Sequence, residues 1–166
     1  MSLTLAAVGA VGAALFDTSI APYFRIGGAQ PDLVLVFAVI WTIVVGFEGG
    51  LMWAFVGGLL IDLLAPRPLG STAFALLLTV GTVAVAARFT NRGRYIRPVV
   101  GVLFGSLMYT SLYLLITRSL RGPMPLADGI ATIVPTAIVD TILAVLVGPL
   151  VVRLHARHGD RERLDW

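Results

Sequence analysis

Three acidic residues stand inside apolar runs, where an ionisable side chain needs a physical reason to be present. Asp17 follows Ala13-Ala14-Leu15-Phe16 and precedes Thr18-Ser19, Asp62 closes Gly57-Gly58-Leu59-Leu60-Ile61, and Asp140 sits between Thr136 and Thr141 in the last long run. At the centre of a membrane helix such a group costs about 2.5–3.5 kcal/mol on insertion scales. Three kinds of chemistry answer that cost. The carboxyl can be structural, bonded to Ser, Thr, backbone or Arg within a helix bundle. It can belong to a proton or ion relay, or it can line a ligand pocket open to the outer face. Asp17 and Asp62, near run ends, favour the structural role. Asp140 is the deepest, and Pro135 in the same run frees a backbone carbonyl and can kink the helix, so both the structural and the relay readings stay open. No second acid lies one turn from Asp140, so a relay would have to be assembled across helices. Asp32 and Glu48 lie at run ends and are expected to reach water.

Other chemistry is excluded or poorly served. The chain has no cysteine, hence no disulfide framework, thiolate metal site or cysteine nucleophile. There is no nucleophile–base pair, P-loop, HExxH or pair of acids on one face. His155 and His158, within Arg153-Leu154-His155-Ala156-Arg157-His158, are too few for a metal site and read as part of a basic tail over anionic lipid head groups. The expectation is a protein without catalytic residues, metal or cofactor, and not an enzyme.

The elements that must hold these acids are membrane helices. Hydrophobic residues make up 58% of the 166 positions and charged residues only 13%, with a mean hydropathy of +0.94. Soluble domains carry about 25% charge, and a chain this size could not bury so much apolar surface on its own. The net charge of +3 comes from twelve arginines against nine acids. Because the arginines sit between apolar runs, they report membrane topology and not nucleic-acid binding. Six runs can be marked: Leu3–Tyr23, Leu33–Phe47, Leu51–Ala65, Thr72–Phe89, Pro98–Thr117 and Gly129–Val152. The predicted fold is an all-α membrane protein of about six transmembrane helices in one bundle (residues 1–152), with a short basic tail (153–166). The first run is expected to be a retained span and not a signal peptide.

The second and third runs are short against the roughly 17–25 residues a span needs. They are either two short spans, the favoured reading, or a re-entrant hairpin closed at Glu48-Gly49-Gly50. Both choices leave the same sidedness. Arg88, Arg92, Arg94 and Arg97, with Arg153, Arg157, Arg161 and Arg163, fall on one side, against Arg25, Arg67, Arg118 and Arg121 on the other. The positive-inside rule then places both termini in the cytoplasm. Small residues recur at helical spacing: Ala6, Ala10 and Ala14; Ala54, Gly58 and Asp62; Gly101 and Gly105; Asp140, Ala144 and Gly148. They serve close helix packing inside the bundle or leave a face for a partner helix.

Pro31-Asp32-Leu33 opening an apolar run, Gly57-Gly58-Leu59-Leu60-Ile61-Asp62-Leu63-Leu64 ending the next, and Pro68-Leu69-Gly70 before the one after together resemble the rod shape-determining protein MreD family. The resemblance is sharp over about 40 residues and general over the rest. It implies a non-enzymatic scaffold in the inner (cytoplasmic) membrane of a bacterium, part of the cell-elongation machinery that positions peptidoglycan synthesis and maintains shape. The implied partners are the bitopic protein MreC and, through it, MreB and the peptidoglycan polymerase–transpeptidase pair. A homodimer is left open, and no nucleic acid is expected. The implied corner consists of Asp62, Pro66, Pro68 and Gly70 with Pro31 and Asp32. Asp62 would accept hydrogen bonds from backbone amides of the loop while the prolines stiffen it. The family is also similar in fold to the substrate-capturing S components of energy-coupling-factor vitamin transporters, and the alternative function is such a substrate-capture subunit. In those, an alanine-rich first helix docks on the partner, as Ala6, Ala10 and Ala14 could. The outer loops here are poor in aromatic and amide groups, Phe24 and Gln30 being nearly alone, which counts against a polar ligand site.

Overall fold

The computed structural model describes residues 3–23, 29–65, 68–89, 93, 96–121 and 126–161, the side chains of 22, 120–121, 126–130 and 154–161 excepted. Among these residues the chain forms six α-helices: α1 (Leu3–Ser19), α2 (Leu33–Val44), α3 (Phe47–Leu64), α4 (Ser71–Phe89), α5 (Ile96–Arg121) and α6 (Leu126–Arg161), with a single 3-10 turn at Ala21–Tyr23 after α1. Four of them, α3 to α6, are long and apolar enough to cross a membrane by length and composition. α1 and α2 are shorter. The expected all-α bundle is present, and α6 runs on without a break through Pro135 and Pro149 to Arg161, so Arg153 continues a helix.

α2 is the central pillar and packs against each of the other five helices. Val34, Leu35, Val36, Ala38, Val39, Ile40, Trp41 and Thr42 are all buried. A segment apolar on every face belongs in a core. Its sequence, LVLVFAVIWTIV, is rich in β-branched residues that would suit a strand in water. Surrounded by apolar helices, only the α-helix satisfies the backbone within the segment itself, and that overrides propensity. The buried hydroxyls follow the same rule: Thr42 donates to the Ala38 carbonyl (2.6 Å) and Thr79 to that of Ala75 (2.8 Å), each on its own helix.

The α2–α3 junction differs from the expected one. The turn is Val45-Gly46, where Gly46 has φ +146°, and α3 already starts at Phe47. Glu48-Gly49-Gly50 is therefore the first turn of α3 and not the separator. Glu48 is exposed and sits favourably at a helix N-terminus. Gly49 and Gly50 are small because α3 comes back tightly on α2: a Cβ on Gly49 would lie 2.6 Å from the Trp41 ring, and one on Gly50 would overlap Thr42. Farther along, Trp53 stacks on Phe37 (5.2 Å between centroids) and tilts against Trp41 (5.6 Å), while Gly9 of α1 lies under the Trp53 ring.

Close approach is tightest between α3 and α4. A Cβ on Gly58 would stand 2.6 Å from the Cα of Ala73, and backbone cannot move aside as a flexible side chain does. Gly58→Val is expected to destabilise the protein by about 1–3 kcal/mol through overpacking, read as a lower melting temperature in detergent. Gly12→Ala, at a glycine with nothing within 4 Å, is the control and should melt at or slightly above the parent temperature.

Candidate functional site

α2 has 12 residues and so measures about 18 Å, well short of a hydrocarbon core about 30 Å thick. Its C-terminal end turns directly into α3, so the N-terminal end has to start inside the bundle. The start is level with Ser106, ten residues along α5, and with Asp140, near the middle of the apolar stretch Ala131–Arg153.

Such a start leaves orphan backbone N–H groups, and three carboxyl groups meet them, two from other helices and one from the N-cap residue itself. Asp17, at the end of α1, accepts from Leu33 N–H through Oδ1 (3.0 Å) and from Val34 N–H through Oδ2 (2.9 Å). Asp32, the N-cap residue, accepts from Leu35 N–H (2.9 Å). Asp140 accepts the N–H of Asp32 itself through Oδ1 (3.0 Å), while its Oδ2 takes the hydroxyl of Ser106 (2.5 Å). Val36 N–H then makes the first intrahelical bond, to the Asp32 carbonyl (3.1 Å). Every donor from Asp32 to Leu35 is satisfied. The residue before them is Pro31, which has no N–H to satisfy. Gln30 closes the approach by donating to the backbone carbonyl of Asp17 (3.2 Å).

The corner at α3–α4 uses the same device. Asp62 is 2% exposed and accepts from Thr72 N–H (3.0 Å to Oδ2) and, at longer range, Ala73 N–H (3.4 Å), with the Ser71 hydroxyl oxygen 3.5 Å away. The amides are thus those of the first turn of α4 and not of the loop before it. Ser71 is itself held, its hydroxyl donating to the Pro68 carbonyl (2.7 Å), and Gly70 turns the chain with φ +85°, a conformation glycine adopts freely. Pro66 lies outside the described residues. Leu69 stands at the tip, 71% exposed. Beside it an open groove of about 470 Å³ runs between the start of α4 and the end of α5, lined by Leu69, Gly70, Ser71, Phe74, Leu115, Ile116 and Ser119.

The other sequence-selected residues fall as follows. Pro31 and Asp32 join Asp17 and Asp140 at the start of α2, so two acids selected as separate intramembrane groups share one helix end. Asp32, expected to reach water, is half-buried there. Ala6, Ala10 and Ala14 are at most 1% exposed and turn into the bundle, so in this arrangement they offer no docking face. Gly101 and Gly105 lie against Val39 of α2. Ser106 and Gln30 were not selected. A lone serine in an apolar run carries no signal until the residue opposite it is known. Arg97 was counted only for topology, yet its Nη2 donates to the Ala87 carbonyl (2.5 Å) in the last turn of α4, where helix carbonyls lack partners of their own.

Chemically this arrangement fixes helix ends. Asp17→Ala should cost about 2–6 kcal/mol, since a buried and a part-buried donor lose their acceptor at about 1–3 kcal/mol each. Asp17→Asn, which keeps one carbonyl oxygen, should cost less. Ser106→Ala should cost about 1 kcal/mol and couple with Asp140→Ala in a double-mutant cycle. Thermal melts in detergent read all four, and an Asp17→Ala protein that melts with the parent would show that the carboxyl is dispensable.

Among known proteins, the family model described as rod shape-determining protein MreD matches residues 3–157. No curated protein and no solved structure matches the chain.

Proposed function

The chain belongs to the rod shape-determining protein MreD family, a component of bacterial cell-shape determination, and from that premise we propose that it acts as a non-enzymatic membrane scaffold of the elongation complex. In this reading the bundle spans the inner membrane with both termini and the arginine-rich ends of α4, α5 and α6 in the cytoplasm. It binds the single membrane helix of an MreC-like partner and, through it, is linked to MreB and the peptidoglycan polymerase–transpeptidase pair.

One observation carries the reading. The described residues of the Asp62 corner present an exposed Leu69 and border an open groove beside Phe74 and Leu115. A carboxyl that braces the start of a helix, a glycine turn and an apolar tip make a fixed edge for a helix to lie along, and helix association in a membrane depends on such shape matching. The carboxyls of Asp17, Asp32, Asp62 and Asp140 are all engaged in holding helix starts, which supports a structural role for them over a reactive one. The substrate-capture alternative relied on the alanine face of α1, and that face is buried.

Two variants test the proposal. Leu69→Asp places a charge on the exposed tip without touching the core. It should reduce recovery of the MreC-like partner in affinity purification severalfold and turn rod-shaped cells round when it is the only copy. Asp62→Ala should do the same with a lower melting temperature. Cells that stay rod-shaped on Leu69→Asp, with full partner recovery, would remove the corner from the interface.

A further inference from the structure

At the arginine-rich end of the bundle, away from the carboxyl-capped helix starts, α2, α4 and α5 leave a cleft of about 230 Å³. Its walls are apolar: Ile43, Val83, Ala86, Val100 and Phe104. Among the described residues, Arg97 is its single ionisable lining residue. The guanidinium is anchored, because Nη2 donates to the Ala87 carbonyl (2.5 Å). Its Nε is buried and has no hydrogen-bond acceptor among the described residues. A buried donor without a partner points to a missing oxygen ligand or water. Arg88, one residue beyond Ala87, adds a second cation at the end of α4.

We propose that this cleft binds an anionic phospholipid, its phosphate on the Arg97 guanidinium and an acyl chain along Val83, Ala86, Val100 and Phe104. Charge complementarity selects the occupant. A fixed guanidinium offers parallel N–H donors that match phosphate oxygens, and the apolar walls continue from it into the membrane interior. Basic pockets between membrane helices at the cytoplasmic face meet a leaflet rich in anionic head groups, and the orientation proposed above puts this end there. A free phosphate would use the cation and waste the walls. A neutral lipid would use the walls and leave Arg97 without its counter-charge. The small residues at Ala86 and Ala87 keep the cleft open, and Gly101 lets α5 approach Ile43 and Val39 at its floor.

The test uses the full chain in neutral detergent. Phosphatidylglycerol should raise the melting temperature by several degrees and stay bound in native mass spectrometry, whereas phosphatidylcholine and inorganic phosphate should do neither. Arg97→Gln removes the charge, and Ala86→Trp fills the cleft from an exposed position while leaving Arg97 in place. Each should weaken phosphatidylglycerol binding roughly tenfold or more, the scale of losing a charge-assisted hydrogen bond. Arg97→Lys should keep part of the binding, and Arg118→Gln, exposed at the other end of α5 and outside the cleft, all of it. Equal responses to both lipids, an effect reproduced by inorganic phosphate alone, or Ala86→Trp protein that binds phosphatidylglycerol like the parent would each overturn the proposal.

Discussion

A helix that begins inside an apolar bundle presents backbone N–H groups that its surroundings cannot satisfy, and each one left bare costs several kcal/mol in hydrocarbon. α2 is such a helix. It is too short to reach both faces, it is the element every other helix packs on, and its start faces α1, α5 and α6. The three carboxyls that converge there come from Asp17 on α1, Asp140 on α6 and Asp32 at the cap itself. This one requirement fixes three relations: where α1 ends, at what height α6 passes α2, and why Ser106 of α5 lies opposite Asp140. Remove the buried helix start and none of the three acids has a reason to be in the bundle.

The same rule is applied twice more with different residues. Asp62 holds the start of α4 from the end of α3, and Arg97 of α5 holds the end of α4 at Ala87. The sign of each side chain matches the partial charge of the helix terminus it meets, acid at the N-terminus and arginine near the C-terminus. α4 is thereby closed at both ends by its neighbours in sequence. Because these bonds link different helices, they fix the helices' relative heights, whereas apolar packing tolerates sliding. A bundle held in register in this way suits a part that must keep its shape while others bind to it.

Much of this was legible in the sequence. The charge deficit and the run lengths gave an all-α membrane bundle, and the separators gave most of the helix limits within a few residues. Asp17, Asp62 and Asp140 stood out because charge is costly in an apolar run, whatever the charge is for. Their partners were not legible, because a backbone N–H carries no residue-type signal. Nothing about Leu33 or Thr72 announces that its amide will be met by an acid many positions away. The α2–α3 turn was misplaced for a related reason. Glycine marks both turns and close contacts, and only the packed structure shows that Gly46 makes the turn while Gly49 and Gly50 make room for Trp41 and Thr42. The stripe Ala6, Ala10, Ala14 had two meanings on paper, and burial assigns it to the interior.

That assignment changes what recognition can consist of. With the small-residue face of α1 turned inward, the face left outside carries Leu3, Leu5, Val8, Val11 and Leu15, all at least 39% exposed. α6 likewise turns Ile138, Ile142, Val145 and Leu146 outward while Asp140 and Ala144 face in. Large branched side chains match lipid tails as well as they match another helix, so these faces by themselves give a partner little preference over the membrane. Selective contact has to come from places where shape or charge departs from that uniform surface. The Asp62 corner with its projecting Leu69 departs from it in shape and the Arg97 cleft in charge, at opposite ends of α4. The helix whose two termini are both fixed by neighbouring side chains is thus the one that holds the two distinctive surface features a set distance apart.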